Sequence, residues 1–205
     1  DAVLTDFEDV SPEAVAAWRQ TGLGHDAAPV PQRPQERQAW MRFKSQTLTR
    51  FTLDLRQAVQ AIRGPQVKTA RNLFALPILE PQSEAWFAQN LDDFLAAYDW
   101  TVPMAMPLME SVPIDASQAW LTRLVQAVAR HPGALKKTIF ELQARDWNRR
   151  QQNAIPDQQL ADWMRLLRLN GVKNYGYYPD DFINNQPDIS RIRPQFSSWW
   201  YPDHD

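Results

Sequence analysis

The sequence predicts an α/β fold: a (β/α)8, TIM-barrel-like architecture of which this 205-residue chain supplies roughly the C-terminal half, about four βα units. Three observations predict it. Apolar runs of strand length alternate with amphipathic stretches of helix length. Strand starts recur roughly every 30 to 40 residues, the length of one βα unit in a barrel of about 250 residues. The rival fold, an open doubly wound sheet, would carry Gly-x-Gly-x-x-Gly or Gly-x-x-x-x-Gly-Lys where phosphate is held, and neither motif is present.

The elements follow in order. Ser11, Pro12 and Glu13 give an N-cap, a proline at the first helical position and an early acid, opening a short helix that runs to about Gln20. Gly22 to Pro34 holds two Gly and three Pro and reads as a loop. Gln35 to Arg63 reads as one long helix, because Trp40, Phe43, Thr47, Phe51, Leu55, Val59 and Ile62 recur at helical spacing, and Gly64-Pro65 ends it. Four strand–helix alternations come next. Val67–Ala75 is a strand and Ser83–Tyr98 a helix capped by Ser83; Trp100–Met106 is a strand and Ser117–Arg130 a helix stopped by His131-Pro132-Gly133. Thr138–Gln143 is a strand and Pro156–Leu169 a helix ended by Asn170-Gly171; Val172–Tyr177 is the last strand, before a proline-broken aromatic tail. A fifth strand is expected to end at the start of the chain, which begins at Asp1 without Met and reads as a fragment or processed product.

Composition narrows the function. Lys plus Arg number 22 against 24 Asp plus Glu, a net charge of −2, so a phosphate-binding basic surface and a nucleic-acid partner are not expected. No run approaches the roughly 20 apolar residues of a membrane-spanning helix. There is no cysteine, and the three histidines (His25, His131, His204) lie far apart, so neither a thiol nucleophile nor a histidine-built metal site is expected. Nine Trp beside nine Phe and five Tyr is a heavy aromatic load.

In such a barrel the chemistry lies where strands end and the following loops begin. Asp1 falls at the end of the missing strand. The later strand ends deliver Trp86, Glu110, Glu141 with Asp146 and Trp147, and then Tyr175, Tyr177 and Tyr178 followed by Asp180 and Asp181. Aromatic rings stack on the C–H faces of sugars while carboxylates accept hydroxyl or amine protons, and glycoside cleavage uses two carboxylates flanking the bond. Each feature also has a plainer account. Trp18, Trp40, Trp120 and Trp163 fall within amphipathic helices and are assigned to packing, as is Trp100. Met104, Met106 and Met109 read as barrel filling, and Glu110 alone reads as a solvated loop acid. Arg71 and Asn72 either form a buried hydrogen-bonded pair or orient a catalytic acid. Phe196 to Tyr201 either seals the barrel or docks on a neighbour.

Six stretches carry a specific resemblance: Asp1–Asp9 (DAVLTDFED), Lys68–Pro77 (KTARNLFALP), Glu84–Asn90 (EAWFAQN), Tyr98–Pro107 (YDWTVPMAMP), Phe140–Trp147 (FELQARDW) and Asn170–Pro179 (NGVKNYGYYP). Together they resemble the C-terminal, glycoside hydrolase-like domain of the bacterial poly-β-1,6-N-acetyl-D-glucosamine N-deacetylases of biofilm polysaccharide export. The resemblance runs over nearly the whole chain and breaks mainly in the Gly22–Pro34 loop and around Arg149–Ala154. It implies that residues 1–205 are the C-terminal portion of a barrel domain that binds, and in family members cleaves, partially deacetylated β-1,6-linked glucosamine/N-acetylglucosamine polymer in an electronegative groove. It implies as neighbours an N-terminal deacetylase domain, the first half of the barrel and an outer-membrane export porin, in a periplasmic protein held to the outer membrane by a lipid anchor. A metal is expected only in the deacetylase domain, which is absent here, and no cofactor in this one. Asp1 matches the second residue of the family's Asp-Asp pair and is the candidate general acid. Glu110 or Glu141 is the expected base or nucleophile. Trp86 and Trp147 match groove positions, with Tyr175, Tyr177, Tyr178 and Asp146 as further candidates for substrate binding. A purely binding and transfer module is the alternative, and a nucleotide or oxidoreductase enzyme lacks its glycine loops.

Overall fold

The computed structural model describes residues 34–147 and 153–196. The helix expected at Ser11–Gln20, the strand end at Asp1, Trp18 and the tail beyond Phe196 lie outside the described residues. Helix α1 (Pro34–Arg63) leads into four parallel strands: β1 (Ala70–Phe74), β2 (Trp100–Ala105), β3 (Phe140–Gln143) and β4 (Tyr175–Tyr178), in the spatial order β1-β2-β3-β4. Helices α2 (Ala75–Leu79), α3 (Glu84–Phe87) and α4 (Leu91–Ala97) connect β1 to β2. Helix α5 (Ile114–Ala129) connects β2 to β3, α6 (Asp157–Leu169) connects β3 to β4, and α7 (Ile189–Ile192) follows β4. Sequential parallel neighbours joined by helices are the arc of a partial (β/α) barrel.

Register decides which side chains share a face, because in-register partners on parallel strands point the same way and neighbours along a strand point oppositely. The pairs Phe74↔Met104, Met104↔Glu141 and Gln143↔Tyr178 put Asn72, Met104, Glu141, Gln143 and Tyr178 on one face. Leu73, Phe140 and Leu142 point to the other, where they are completely buried with Leu121, Leu124, Leu160, Trp163 and Leu167 of the covering helices. Trp163 donates its indole N–H to Ser117 Oγ at 2.9 Å, which ties α6 to α5.

Several expectations need correction. The segment expected as a single helix from Ser83 to Tyr98 is broken: Ala88 adopts a left-handed φ of 51°, and Asn90 starts α4 by accepting the Asp93 N–H at 2.9 Å. Ser83 makes no side-chain cap. Helix α5 starts at Ile114 rather than Ser117, whose hydroxyl is instead buried and donates to Ile114 O at 2.6 Å. The apolar row of α1 is half-buried at Trp40, Phe43 and Thr47 and uncovered beyond them. Phe51, Leu55, Val59 and Ile62 are exposed. The helix is held by Leu53, which packs against the core, and by polar side chains: Lys44 donates to Ala85 O, Thr52 meets the Tyr98 hydroxyl, and Arg56 donates to Ala97 O at 3.1 Å.

Candidate functional site

The sheet face opposite the covering helices opens into a recess of about 270 Å³ lined by Asn72, Met104, Met106, Met109, Glu141, Trp147 and Tyr178. Every one of β1 to β4, or the loop that follows it, contributes a lining residue, so the recess belongs to the sheet as a whole.

Glu141 is its carboxylate. Asn72, two strands away on the same face, donates from Nδ2 to Glu141 Oε2 at 3.1 Å. Among the described residues nothing is bonded to the other carboxylate oxygen. Partial burial among methionines and aromatic rings pushes the Glu141 carboxyl above the ordinary glutamate range, since burial disfavours its charged form. Of the two options open for Arg71 and Asn72, the strand alternation excludes a hydrogen-bonded pair, because it sends the two side chains to opposite faces. Arg71 turns to the opposite face, over the rings of Phe94 and Tyr98 at 5.0 and 5.6 Å, while Asn72 orients the acid.

The aromatic wall is Trp147 stacked on Tyr178, ring centroids 6.1 Å apart and planes 24° from parallel. The loop that carries Trp147 is pinned from both sides. Arg145 forms a bridge with Ala154, and the Asp146 N–H donates to Asn153 O at 2.8 Å. Gln143, which the sequence did not single out, is wholly buried and braces the loop after β2. Its Oε1 accepts the N–H groups of Leu108 and Met109 at 2.7 and 3.3 Å, and its Nε2 donates to Arg145 O at 2.8 Å. The signal available for it was position alone, two residues after Glu141 on the same strand face. The methionines expected as barrel filling form the apolar lining of this recess.

The remaining candidates separate. Tyr175 and Tyr177 lie on the opposite face from Tyr178, a correction to their expected clustering that follows from the two-residue period of a strand. Their rings pack on Phe196 at 5.7 and 6.0 Å, and Tyr175 donates its hydroxyl to Gln195 O at 2.6 Å. The Tyr177 phenol, desolvated and bonded to Asp180, is pushed up to about 12. Asp146 is buried rather than open to a ligand. Trp86 is 71 % exposed on α3 and does not line the Glu141 recess. Asp1 lies outside the described residues.

Glu110 does not share the cavity of Glu141. The turn after β2, closed by Val112 N–H donating to Pro107 O at 2.9 Å, aims Met109 at one recess and Glu110 at another. That second recess, about 390 Å³, lies between α2 and α5 and is lined by Glu80, Glu110, Arg123 and Arg130 among others. Burial and the nearby Glu80 raise the Glu110 carboxyl. Among the described residues no three His, Asp or Glu side chains converge as a metal ion would require.

Comparison with known proteins adds to this geometry. Residues 1–178 match the family model described as hypothetical glycosyl hydrolase family 13, GHL13. Over 206 aligned positions the chain is 53% identical to the poly-beta-1,6-N-acetyl-D-glucosamine N-deacetylase of Escherichia coli K12, and equally to that of Escherichia coli O157:H7. Those alignments cover 100% of this chain and 31% of each relative, so the chain spans about a third of the length of the curated relatives it matches. Among solved structures it is similar to the glycoside hydrolase domain of PgaB (BpsB) from Bordetella bronchiseptica, with a TM-score of 0.78 and 44% identity over 92% of this chain and 52% of that one.

Proposed function

Because the chain belongs to the family described as hypothetical glycosyl hydrolase family 13, we propose that it binds β-1,6-linked glucosamine/N-acetylglucosamine polymer across the strand-end recess and hydrolyses its glycosidic bonds there. The observation that carries this reading is a carboxylate with one oxygen oriented by Asn72 and the other bonded to none of the described residues, in a recess walled by two stacked aromatic rings. The substrate is taken from what the Escherichia coli relatives are named for.

On this reading Trp147 and Tyr178 take the C–H face of a pyranose ring, which leaves its hydroxyl edges for polar groups. Glu141 acts as base or nucleophile. A carboxylate with a raised pKa is, in its ionised form, a stronger base. Asp1 supplies the complementary acid. Separation of the two carboxyls would set the outcome, about 5–5.5 Å for retention and about 6.5–9.5 Å for inversion. Glu141 is preferred to Glu110 because Glu110 lines the other recess. The same reading makes the chain the C-terminal part of a periplasmic deacetylase anchored at the outer membrane, working beside the deacetylase domain, the first half of the barrel and an export porin.

The test is the chain length of partially deacetylated β-1,6-glucosamine oligomers over time with the intact protein. Glu141→Gln is expected to slow cleavage by about 10²–10⁴-fold, the usual contribution of a positioned acid or base, while oligomer binding is retained. Trp147→Ala is expected to weaken binding. Undiminished cleavage by Glu141→Gln removes that residue from the mechanism. Binding without any shortening by the wild type leaves the binding and transfer module in its place.

A further inference from the structure

The loop after β4 reverses the usual arrangement of a surface turn. Its polar side chains bond back onto the loop, and Phe182 and Ile183 stand in solvent. Asp181 and Gln186 exchange two backbone hydrogen bonds, each 2.9 Å, which close the loop at its base. The Asp181 carboxylate accepts from Asn184 N–H at 3.1 Å and from Asn184 Nδ2 at 2.8 Å. Asn185, at a left-handed φ of 51°, donates from Nδ2 to Asp188 at 3.1 Å and accepts the Ile189 N–H at 3.2 Å. What remains at the tip is Phe182 and Ile183, each 82% exposed.

A pair of large apolar side chains held out on a braced loop marks a binding contact. Its position selects the occupant. The loop leaves β4 three residues after Tyr178, a wall of the recess, and Arg145 reaches Asp181 at 3.9 Å from the loop that also carries Trp147. The tip is therefore tied at its base to both aromatic walls of the candidate site.

We propose that Phe182, supported by Ile183, is an additional stacking platform that takes a sugar ring of the polymer beyond the unit held by Trp147 and Tyr178. The inference deepens the functional reading above and depends on it. A flat apolar ring braced before the ligand arrives loses little freedom on binding, and it recognises the C–H face of a pyranose whether or not that unit is acetylated. It therefore contributes affinity for chain length rather than for acetylation pattern.

The experiment is a calorimetric titration of the intact protein with β-1,6-glucosamine oligomers from dimer to hexamer. Wild-type affinity is expected to rise with length. Phe182→Ala is expected to lower hexamer affinity by about tenfold, equivalent to about 1.4 kcal/mol, with dimer affinity unchanged. Phe182→Tyr is expected to restore the hexamer, and Ile183→Ala to cost less than Phe182→Ala. Because the side chain is in solvent, far-ultraviolet circular dichroism should not change. Equal affinities of Phe182→Ala and wild type at every length overturn the platform and leave the recess standing. So does a loss of self-association in Phe182→Ala without any change in titration, which reassigns the tip to a protein contact. A wild type that binds no oligomer overturns both readings.

Discussion

A carboxylate among methionines and aromatic rings has given up hydration and gained, among the described residues, one amide donor in return. For Glu141 the consequence is a raised pKa, because burial favours the neutral form. The sign for stability follows directly. The folded state prefers the proton, so this contribution to stability is present at low pH and fades as pH rises from the ordinary glutamate value through the raised one. Glu141→Gln keeps the amide contact with Asn72 and removes the charge, so it is expected to melt higher than wild type near neutral pH while losing cleavage. Thermal melts at pH 4 and pH 7 check this, with the gap between variant and wild type larger at pH 7. The acid limb of the cleavage rate should likewise lie above the ordinary glutamate range, since the ionised form does the work. The position of Glu141 was legible, as an acid near a strand end with a tryptophan close by. The split between Glu141 and Glu110 was not, because it depends on how one six-residue turn folds back. Nor was Gln143, an amide whose role exists only once two loops are brought together.

Elements were most legible where pattern and punctuation agreed. All four strands appear where alternation and helix stops put them; the first three are shortened, and β4 starts later than expected and runs one residue further, to Tyr178. The failures have physical causes. Ser83 looked like a helix N-cap and Ser117 like a helix start, yet Asn90 caps α4 and a buried Ser117 accepts from Trp163. Ser117→Ala should therefore act as a core defect and not as a lost cap. It leaves the fully buried Trp163 N–H unsatisfied, at a cost of about 1–3 kcal/mol, which a denaturant midpoint would report with an unchanged slope. At the opposite end of the strands from the recess, Asp99 accepts from Thr69 N–H at 2.9 Å, Thr69 Oγ1 at 3.0 Å and Lys68 Nζ at 3.0 Å. The Thr69 backbone bond, followed by the Lys68 bond, holds its carboxyl at about 2, against an ordinary 3.8. This stabilisation is present above the ordinary value and is lost as pH falls through about 2. Asp99→Ala should be destabilised at neutral pH and converge on wild type near pH 2.

At the scale of the whole molecule, the described sheet ends at β1 on one side and β4 on the other, with no further strand paired to either among the described residues. Along α1, Leu48, Phe51, Leu55, Val59 and Ile62 form an exposed apolar row. Open strand edges and a bare apolar helix face promote association. We therefore expect the isolated 205-residue chain to self-associate in sedimentation experiments, and Phe51→Glu with Leu55→Glu to reduce that association. A stable monomer of native helix content would contradict this. The half-barrel rhythm was legible in strand spacing, and so was the apolar row on α1, but not its exposure, because periodicity tells which residues share a face and not what covers it. The central claim is that the face shared by Asn72, Glu141, Trp147 and Tyr178 is where a sugar polymer is held and cut. A structure of the Glu141→Gln protein with a β-1,6-glucosamine hexamer tests it most directly. The account predicts one pyranose ring stacked on Trp147, with a glycosidic bond within hydrogen-bonding reach of residue 141 or of one bridging water. An oligomer bound in the Glu80–Glu110 recess instead, with the Trp147 face empty, would contradict it.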